Sequence, residues 1–217
     1  MSPRDLLQDP CWQGTDLGQP LPDATHAVSM ALPRWQDVIA YEEKDPSCRK
    51  ALQTIYPRFG LHPLLQELSA QMSVDGWTAW PFATEAAASA AQAHCQRQEP
   101  RGHTRLTRGE PLVALHTDAS TSPHAKAFWQ HTGLGASSRQ AAVALGREQP
   151  PSPAEADAAR AAVRQRLASI HAIETDRISL HPAGMAGLHA ALTAIQSLKP
   201  HRPTLQLGFP YVDVLKQ

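Results

Sequence analysis

Hydrophobic positions along the chain change their spacing several times, and together they predict an α/β protein with an N-terminal arm. Residues 1 to about 35 are rich in Pro, Asp and Gln, and their apolar residues follow no sustained period, so we expect an extended arm. Helical spacing appears in two short pieces between Pro33 and Met72, separated by a turn at residues 60–63. The pattern therefore predicts an arm with short helices over residues 1–72 and a partial α/β domain over residues 73–217.

The first half of that domain is predicted to alternate between strands and helices. Residues 77–82 have the apolar character of a buried strand, and Thr84 is placed to cap an alanine-rich helix that extends to about Arg97. Residues 99–110 are polar and basic, so we expect a solvated loop there, followed by a short strand at residues 111–115. Two further helices are expected, at residues 126–131 and 137–147.

The next helix has a well-marked start. Ser152 stands three residues before Glu155 and Pro153 lies between them, which is a capping box with a proline in the first helical position. The apolar residues of this helix share one face, which we expect to cover a sheet; they are Ala159, Val163, Leu167 and Ile170.

The last third has the pattern of a βαβ unit, with strands at residues 177–180 and 204–207 and a helix at residues 184–198. Such a unit implies parallel strands and a right-handed crossover, with the helix N-terminus at the strand end where α/β proteins bind ligands. Gly184 opens the helix, where free backbone N–H groups favour an anion such as a phosphate. The same glycine pattern is also typical of a tight turn without a ligand.

Composition and charge restrict the class of protein. The 217 residues are 42% hydrophobic and 18% charged, as in a globular chain, and 20 basic residues balance 20 acidic ones. A net charge of zero disfavours nucleic-acid and anionic-membrane partners. The three cysteines cannot all pair and lack metal-binding spacing, and no apolar run has the length of a signal peptide or membrane span. We therefore expect a cytoplasmic protein with reduced thiols.

Three other groups of residues could form a site, but ordinary structural roles explain each of them as well. His116, Asp118 and His124 lie near one another in the chain, but no metal-binding motif accompanies them, and solvated or hydrogen-bonded histidines explain them as well. Cys48 and Cys95 lack the neighbours of a catalytic thiol. Residues 128–147 could form a helix-turn-helix, but the dispersed arginines disfavour DNA binding. We expect neither a metal nor nucleic acid.

Several blocks of sequence occur in an order that resembles a known family. They are Ala31-Leu32-Pro33-Arg34-Trp35 with Tyr41-Glu42-Glu43, Tyr56-Pro57-Arg58-Phe59 with His62-Pro63-Leu64, Phe128-Trp129-Gln130-His131-Thr132-Gly133 with Ser137-Ser138-Arg139, Ala183-Gly184-Met185, and Gly208-Phe209-Pro210-Tyr211-Val212-Asp213. Together they resemble the cystathionine γ-synthase-like enzymes, of the fungal type, within the Cys/Met-metabolism family that uses pyridoxal 5'-phosphate. The resemblance implies an incomplete large domain of the aspartate-aminotransferase-like fold type I. It leaves the role of Ser137, Ser138 and Arg139 open.

The resemblance also assigns cofactor-binding roles. It implies that backbone amides of Gly184 and Met185 bind the cofactor phosphate and that Tyr211 stacks on the pyridine ring. Tyr56 and Arg58 would reach the phosphate of a neighbouring subunit, which implies a homodimer or homotetramer. Small-molecule amino acids are the implied substrates.

Two departures from the family pattern change the expected activity. Ala183 stands where the family usually has serine, so we expect weaker phosphate binding. The family's Schiff-base lysine would lie beyond Gln217, and none of the five lysines replaces it, so we expect no catalytic residue in this chain and interpret it as the N-terminal part of a longer enzyme. The implied reaction joins an activated homoserine ester to cysteine, giving cystathionine for methionine biosynthesis. The alternatives are a carbon–sulfur γ-lyase and a non-enzymatic remnant or interaction module.

Overall fold

The computed structural model describes residues 4–56, 59–109 and 111–216, which fold into a mixed α/β structure. Its strands are β1 (Pro20–Leu21), β2 (Ser29–Met30), β3 (Thr78–Phe82), β4 (Thr104–Arg108) and β5 (Val113–Thr117). Its α-helices are α1 (Trp35–Glu42), α2 (Pro46–Ala51), α3 (Pro63–Met72), α4 (Glu85–Gln98), α5 (Ser122–Thr132), α6 (Ser138–Ala144), α7 (Pro153–His171) and α8 (Gly184–Leu198). Within the described residues, 3₁₀ turns occur at Gly14–Asp16, Thr175–Arg177 and Val212–Lys216. None of the helices in the described ranges is long and apolar enough to cross a membrane.

The N-terminal arm folds back on itself and is anchored to the segment that follows α2. Strands β1 and β2 pair in antiparallel register, and the Gln53 amide donates to the Gly18 carbonyl at 2.9 Å. The buried Thr54 hydroxyl donates to the Ala27 carbonyl. The arm is therefore only partly extended, because one backbone and one side-chain hydrogen bond tie its hairpin to the rest of the chain.

The main sheet has the order β3-β5-β4, and both pairs of strands are antiparallel. Strands β3 and β5 confirm the two predicted strands, with β5 shifted by two residues. The prediction of a solvated loop at residues 99–110 is wrong, because β4 lies within it. Its half-buried Thr104 and Leu106 alternate with the exposed Arg105 and Thr107, as is usual for an edge strand with one open face.

Helices α4 and α5 pack on one face of this sheet and form the main core. Thr84 caps α4 as predicted, since its side chain accepts from the Ala87 amide at 3.2 Å. A second apolar cluster joins α3 to α6, and α3 also contacts β3. The division at residue 72 stays a prediction. The buried residues of the main core are Trp80, Phe82, Ala87, Ala88, Ala91, Cys95, Leu115, Ala125, Phe128 and Trp129.

Helix α7 begins where the capping box predicts and yet covers no sheet. The Ser152 hydroxyl accepts from the Glu155 amide at 3.2 Å, and Pro153 occupies the first turn. No residue of α7 is buried, and 60% of Ile170 is exposed. The prediction of a sheet beneath this helix is therefore wrong, because an apolar period identifies a face of the helix and not its neighbour.

The predicted βαβ unit is confirmed in its helix and wrong in its strands. Helix α8 spans the predicted residues, but residues 178–180 and 204–207 form no strand. A strand needs a neighbour for its backbone N–H and C=O groups, and the pairing found in the described residues is antiparallel throughout. Leu205 and Leu207 are each 82% exposed, so these apolar side chains do not pack in a sheet as a buried strand would require.

Candidate functional site

The N-terminus of α8 is open in the way that an anion site requires. Ala183 precedes the helix with extended backbone, and no side chain caps it. The first intrahelical bond runs from the Gly187 amide to the Ala183 carbonyl at 3.1 Å, which leaves the amides of residues 184–186 outside that ladder. Gly184 is exposed, and a Cβ added there would meet no atom within 4 Å. The positive end of a 15-residue helix is therefore accessible to a small anion.

The end of α5 lies directly against this turn. Gly133 ends α5 in the left-handed conformation, with φ of 66°. A Cβ at Gly133 would lie 3.2 Å from the Ala186 nitrogen and 3.4 Å from the Cβ atoms of Ala183 and Met185. Glycine therefore suits this position for two reasons. Any other residue would be strained in the left-handed conformation, and its Cβ would crowd the start of α8.

Tyr211 stands directly before the C-terminal 3₁₀ turn, and about half of its surface is exposed. That turn, Val212–Lys216, contacts both α5 and α8. Its Asp213 is 1% exposed, and an oxygen of its carboxylate lies 3.2 Å from His131 Nδ1 in the last turn of α5. The structure therefore brings the segment that carries Tyr211 into the same cluster of elements as Gly184 and Met185.

A ring contact secures α8 to the core. The imidazole of His189, in the second turn of α8, meets Phe128 edge-on with ring centroids 5.9 Å apart. Phe128 in turn contacts Phe82 of β3 at 6.2 Å and belongs to the main core. The candidate site is therefore fixed to the central sheet through α5.

The structure does not bring Tyr56 to this site within one chain. Tyr56 lies 5.9 Å from Phe59, which meets Tyr41 edge-on at 6.1 Å, so its surroundings are an aromatic cluster of the arm and α1. The principal contacts of α8 are with α5 and the C-terminal 3₁₀ turn. Arg58 lies outside the described residues. A role for either residue toward the phosphate of a neighbouring subunit stays a prediction.

His116 and Asp118, two of the three candidate metal ligands, have separate structural surroundings. His116 is buried on β5, and burial lowers its pKa below the ordinary value, as does nearby Arg105. Burial raises the pKa of Asp118, but hydrogen bonds from Ser120, Thr121 and the His103 amide outweigh it and hold that pKa well below the usual range. In the part of the chain that the structure describes, no three His, Cys, Asp or Glu side chains converge as a metal site would require.

Neither buried cysteine has the surroundings of a nucleophile. Cys95 is fully buried in the main core, and that burial raises the pKa of its thiol to about 11. Burial also raises the pKa of Cys48 above its ordinary value. Both thiols therefore remain protonated near neutral pH and act as small apolar side chains.

Ser137 and Ser138 have structural roles, whereas the role of Arg139 stays open. Ser137 caps α6, accepting from the Gln140 amide at 3.2 Å. The hydroxyl of Ser138 lies 3.0 Å from His26 Nδ1, and His26 Nε2 lies 2.7 Å from a carboxylate oxygen of Glu148. The imidazole of His26 thus holds the arm against α6. The two residues of this contact lie more than one hundred positions apart, so no local sequence pattern predicts it.

Several known proteins are similar to this chain. A Saccharomyces cerevisiae protein assigned by name to the cystathionine gamma-synthases is 32% identical over 168 residues, 65% of this chain and 26% of that protein. The L-2-amino-4-chloropent-4-enoate dechlorinase/desaturase of Streptantibioticus cattleyicolor is 31% identical over 91% of this chain and 42% of its own length. The cystathionine gamma-synthase of Neurospora crassa is 29% identical over 60% of this chain and 26% of its length.

The other comparisons found no match. No family model matches the chain. No solved structure matches it either. The chain spans between 26% and 42% of the length of the three relatives.

These likenesses first define a class, the pyridoxal-phosphate-dependent enzymes of amino-acid metabolism. The relatives agree with the resemblance seen in the sequence blocks, and most of them are cystathionine γ-synthases or proteins named as similar to these. The chain belongs to the cystathionine γ-synthase-like family.

Proposed function

We propose that this chain supplies the phosphate-binding and ring-stacking side of a pyridoxal-phosphate-dependent enzyme that joins an activated homoserine ester to cysteine. The observation that supports this most is the uncapped, exposed start of α8, a helix that contacts the 3₁₀ turn directly following Tyr211. A phosphate needs backbone donors at a positive helix end, and the cofactor ring needs an exposed aromatic face; both kinds of group are present.

Each residue has a defined task in this proposal. The amides of Gly184 and Met185 donate to the cofactor phosphate, and the open space beside Gly184 admits it. The phenol ring of Tyr211 covers one face of the pyridine ring. Ala183 adds no hydroxyl, so the phosphate depends on backbone donors and binds more weakly than with serine in that position. When bound, the cofactor supplies an electron sink for the substrate's α-carbon.

The proposal includes a homodimer or a larger homo-oligomer in which Tyr56 and Arg58 of one subunit serve the phosphate site of its neighbour. A guanidinium suits this task because it makes charge-assisted and often bidentate contacts with phosphate oxygens. The aromatic cluster around Tyr56 lies away from α8 within one chain, which agrees with a role toward another subunit.

The reaction itself has an alternative within the family. A carbon–sulfur γ-lyase would use the same phosphate and ring-stacking groups, and one relative is named for removing chlorine from an amino acid. The groups described here bind the cofactor and do not select the second substrate. The choice between replacement and elimination therefore depends on residues outside this cluster.

The first experiment measures pyridoxal-phosphate binding to the purified chain by absorbance titration, with the oligomeric state measured in parallel. Arg58→Ala removes a charge-assisted contact of about 1.5–3 kcal/mol, so Kd should rise by roughly ten- to a hundredfold. Arg139→Ala is the matched control, since Arg139 follows Ser137 at the same spacing at which Arg58 follows Tyr56. Its Kd should equal that of the parent chain.

The outcomes separate the parts of the proposal. A loss of affinity in Arg58→Ala alone, in a dimer or larger oligomer, supports the shared phosphate site. A loss in Arg139→Ala alone moves the arginine role to the start of α6 and contradicts the assignment of Tyr56 and Arg58. If the parent chain binds neither pyridoxal phosphate nor inorganic phosphate, the proposed cofactor function of this chain is wrong.

A further inference from the structure

One short segment at the end of α5 contacts both halves of the proposed cofactor site. His131 pairs with Asp213 of the C-terminal 3₁₀ turn, and Gly133, two residues later, packs against the start of α8. The turn and α8 also contact each other. The three elements thus form a closed set in which each touches the other two, with residues 131–133 at the junction.

The pair between His131 and Asp213 is buried enough to fix the turn in place. The side chain of Asp213 is 2% exposed and that of His131 is 14% exposed, and Nδ1 and Oδ1 lie 3.2 Å apart. A carboxylate removed from water is costly unless donors satisfy it, so the turn gains by keeping Asp213 against Nδ1 of the His131 imidazole. Tyr211 directly precedes this turn, and its carbonyl accepts from the Val214 amide at 2.9 Å, so its position follows that of the turn.

We propose that His131 and Asp213 are positioning residues that set the ring of Tyr211 at a fixed separation from the phosphate-binding start of α8. This inference rests on the proposed function and adds to it a role for the His-Thr-Gly segment at the end of α5. The ligand selected is one that carries a flat ring and a phosphate a short distance apart. Inorganic phosphate needs only the phosphate-binding groups, whereas pyridoxal phosphate needs those groups and the ring of Tyr211 in register.

The test therefore compares two ligands on the full chain, pyridoxal phosphate and inorganic phosphate. Asp213→Ala and His131→Ala should each weaken pyridoxal-phosphate binding by about tenfold, the size expected for loss of a hydrogen bond to a charged group. Both should leave phosphate binding within about twofold of the parent. Asp213→Asn keeps an acceptor for His131, so it should restore most of the lost affinity. Asp157→Ala removes an exposed carboxylate on α7 and should change neither.

A second measurement needs no cofactor. The chain has three tyrosines, so 3-fluorotyrosine labelling gives three fluorine resonances, of which Tyr211→Phe identifies one. Asp213→Ala and His131→Ala should shift the Tyr211 resonance and leave those of Tyr41 and Tyr56 unchanged. If Asp213→Ala fails to fold by circular dichroism, His131→Ala and its conservative variant His131→Asn carry the same comparison.

The two measurements distinguish this inference from the proposed function. An unchanged Tyr211 resonance together with an unchanged ratio of pyridoxal-phosphate to phosphate affinity overturns the positioning role. An equal loss for both ligands also overturns it, because that result describes general loosening of the site. If the Tyr211 resonance shifts while the parent binds neither ligand, the structural coupling stands and the cofactor function fails.

Discussion

Gly133→Ala tests the contact that holds α8 against the core. The new methyl group would lie 3.2 Å from the Ala186 nitrogen, a backbone atom that is fully buried and held by its helix. It would also lie 3.4 Å from the Cβ atoms of Ala183 and Met185. These distances require a displacement of the start of α8 by a few tenths of an ångström, and the displacement falls on the amides assigned to the phosphate.

The free energy of unfolding that Gly133→Ala loses has two contributions. A residue with a Cβ in the left-handed conformation costs about 1–2 kcal/mol relative to the right-handed one. Overpacking against a fixed backbone adds about 1–3 kcal/mol. Gly146→Ala carries the first contribution alone, because Gly146 also has a positive φ, of 70°, and a Cβ there would meet no atom within 4 Å. The difference between the two variants therefore measures the second contribution. We therefore expect Gly133→Ala to be more destabilising by about 1–3 kcal/mol.

Urea denaturation of the two variants and the parent measures this difference. Hydrogen exchange of residues 184–190 shows whether the loss is local to α8, where Gly133→Ala should raise the exchange rates and Gly146→Ala should not. Inorganic phosphate binding should weaken in Gly133→Ala only. Equal free energies of unfolding, with equal exchange in α8, would falsify the argument that Gly133 is required by its contact with this helix.

Two further predictions concern stability. Burial lowers the pKa of His62 below its ordinary value, and neighbouring His26 lowers it further. The contribution of His62 to stability is therefore full above the unfolded pKa of about 6.5 and is lost as the pH falls through the folded pKa. His62→Asn keeps an acceptor for the Leu64 amide, so urea midpoints at pH 7.5 and 5 should differ less in it than in the parent; equal differences would exclude His62 as the cause. Ser152→Ala should destabilise α7 by about 1 kcal/mol, which is measured as faster hydrogen exchange in the first turn of α7. Ser197→Ala in α8 is the control and should leave exchange in that turn unchanged. Unaltered exchange in Ser152→Ala would contradict the cap.

The sequence by itself determined the features that depend on residues close together in the chain. The start of α7 follows from Ser152 and Glu155, and the start of α4 follows from Thr84, because a cap needs only a side-chain oxygen and an amide within one turn. Helix α2 also had such a signal, Asp45 before Pro46, which the pattern of apolar residues did not reveal. The order of short blocks indicated the family, which the relatives confirm.

Only the tertiary structure decided which segments pair and which side chains meet. Strand β4 looked like a polar loop because the half-buried Leu106 acquires its role by pairing opposite Leu115. Residues 204–207 have the composition of a strand and remain unpaired, since composition does not supply a neighbour for the backbone. His131 and Asp213 lie 82 positions apart, and no local spacing relates them. Such contacts depend on how α5 and the C-terminal turn pack together, because burial creates the need for a partner and the fold determines which partner is available.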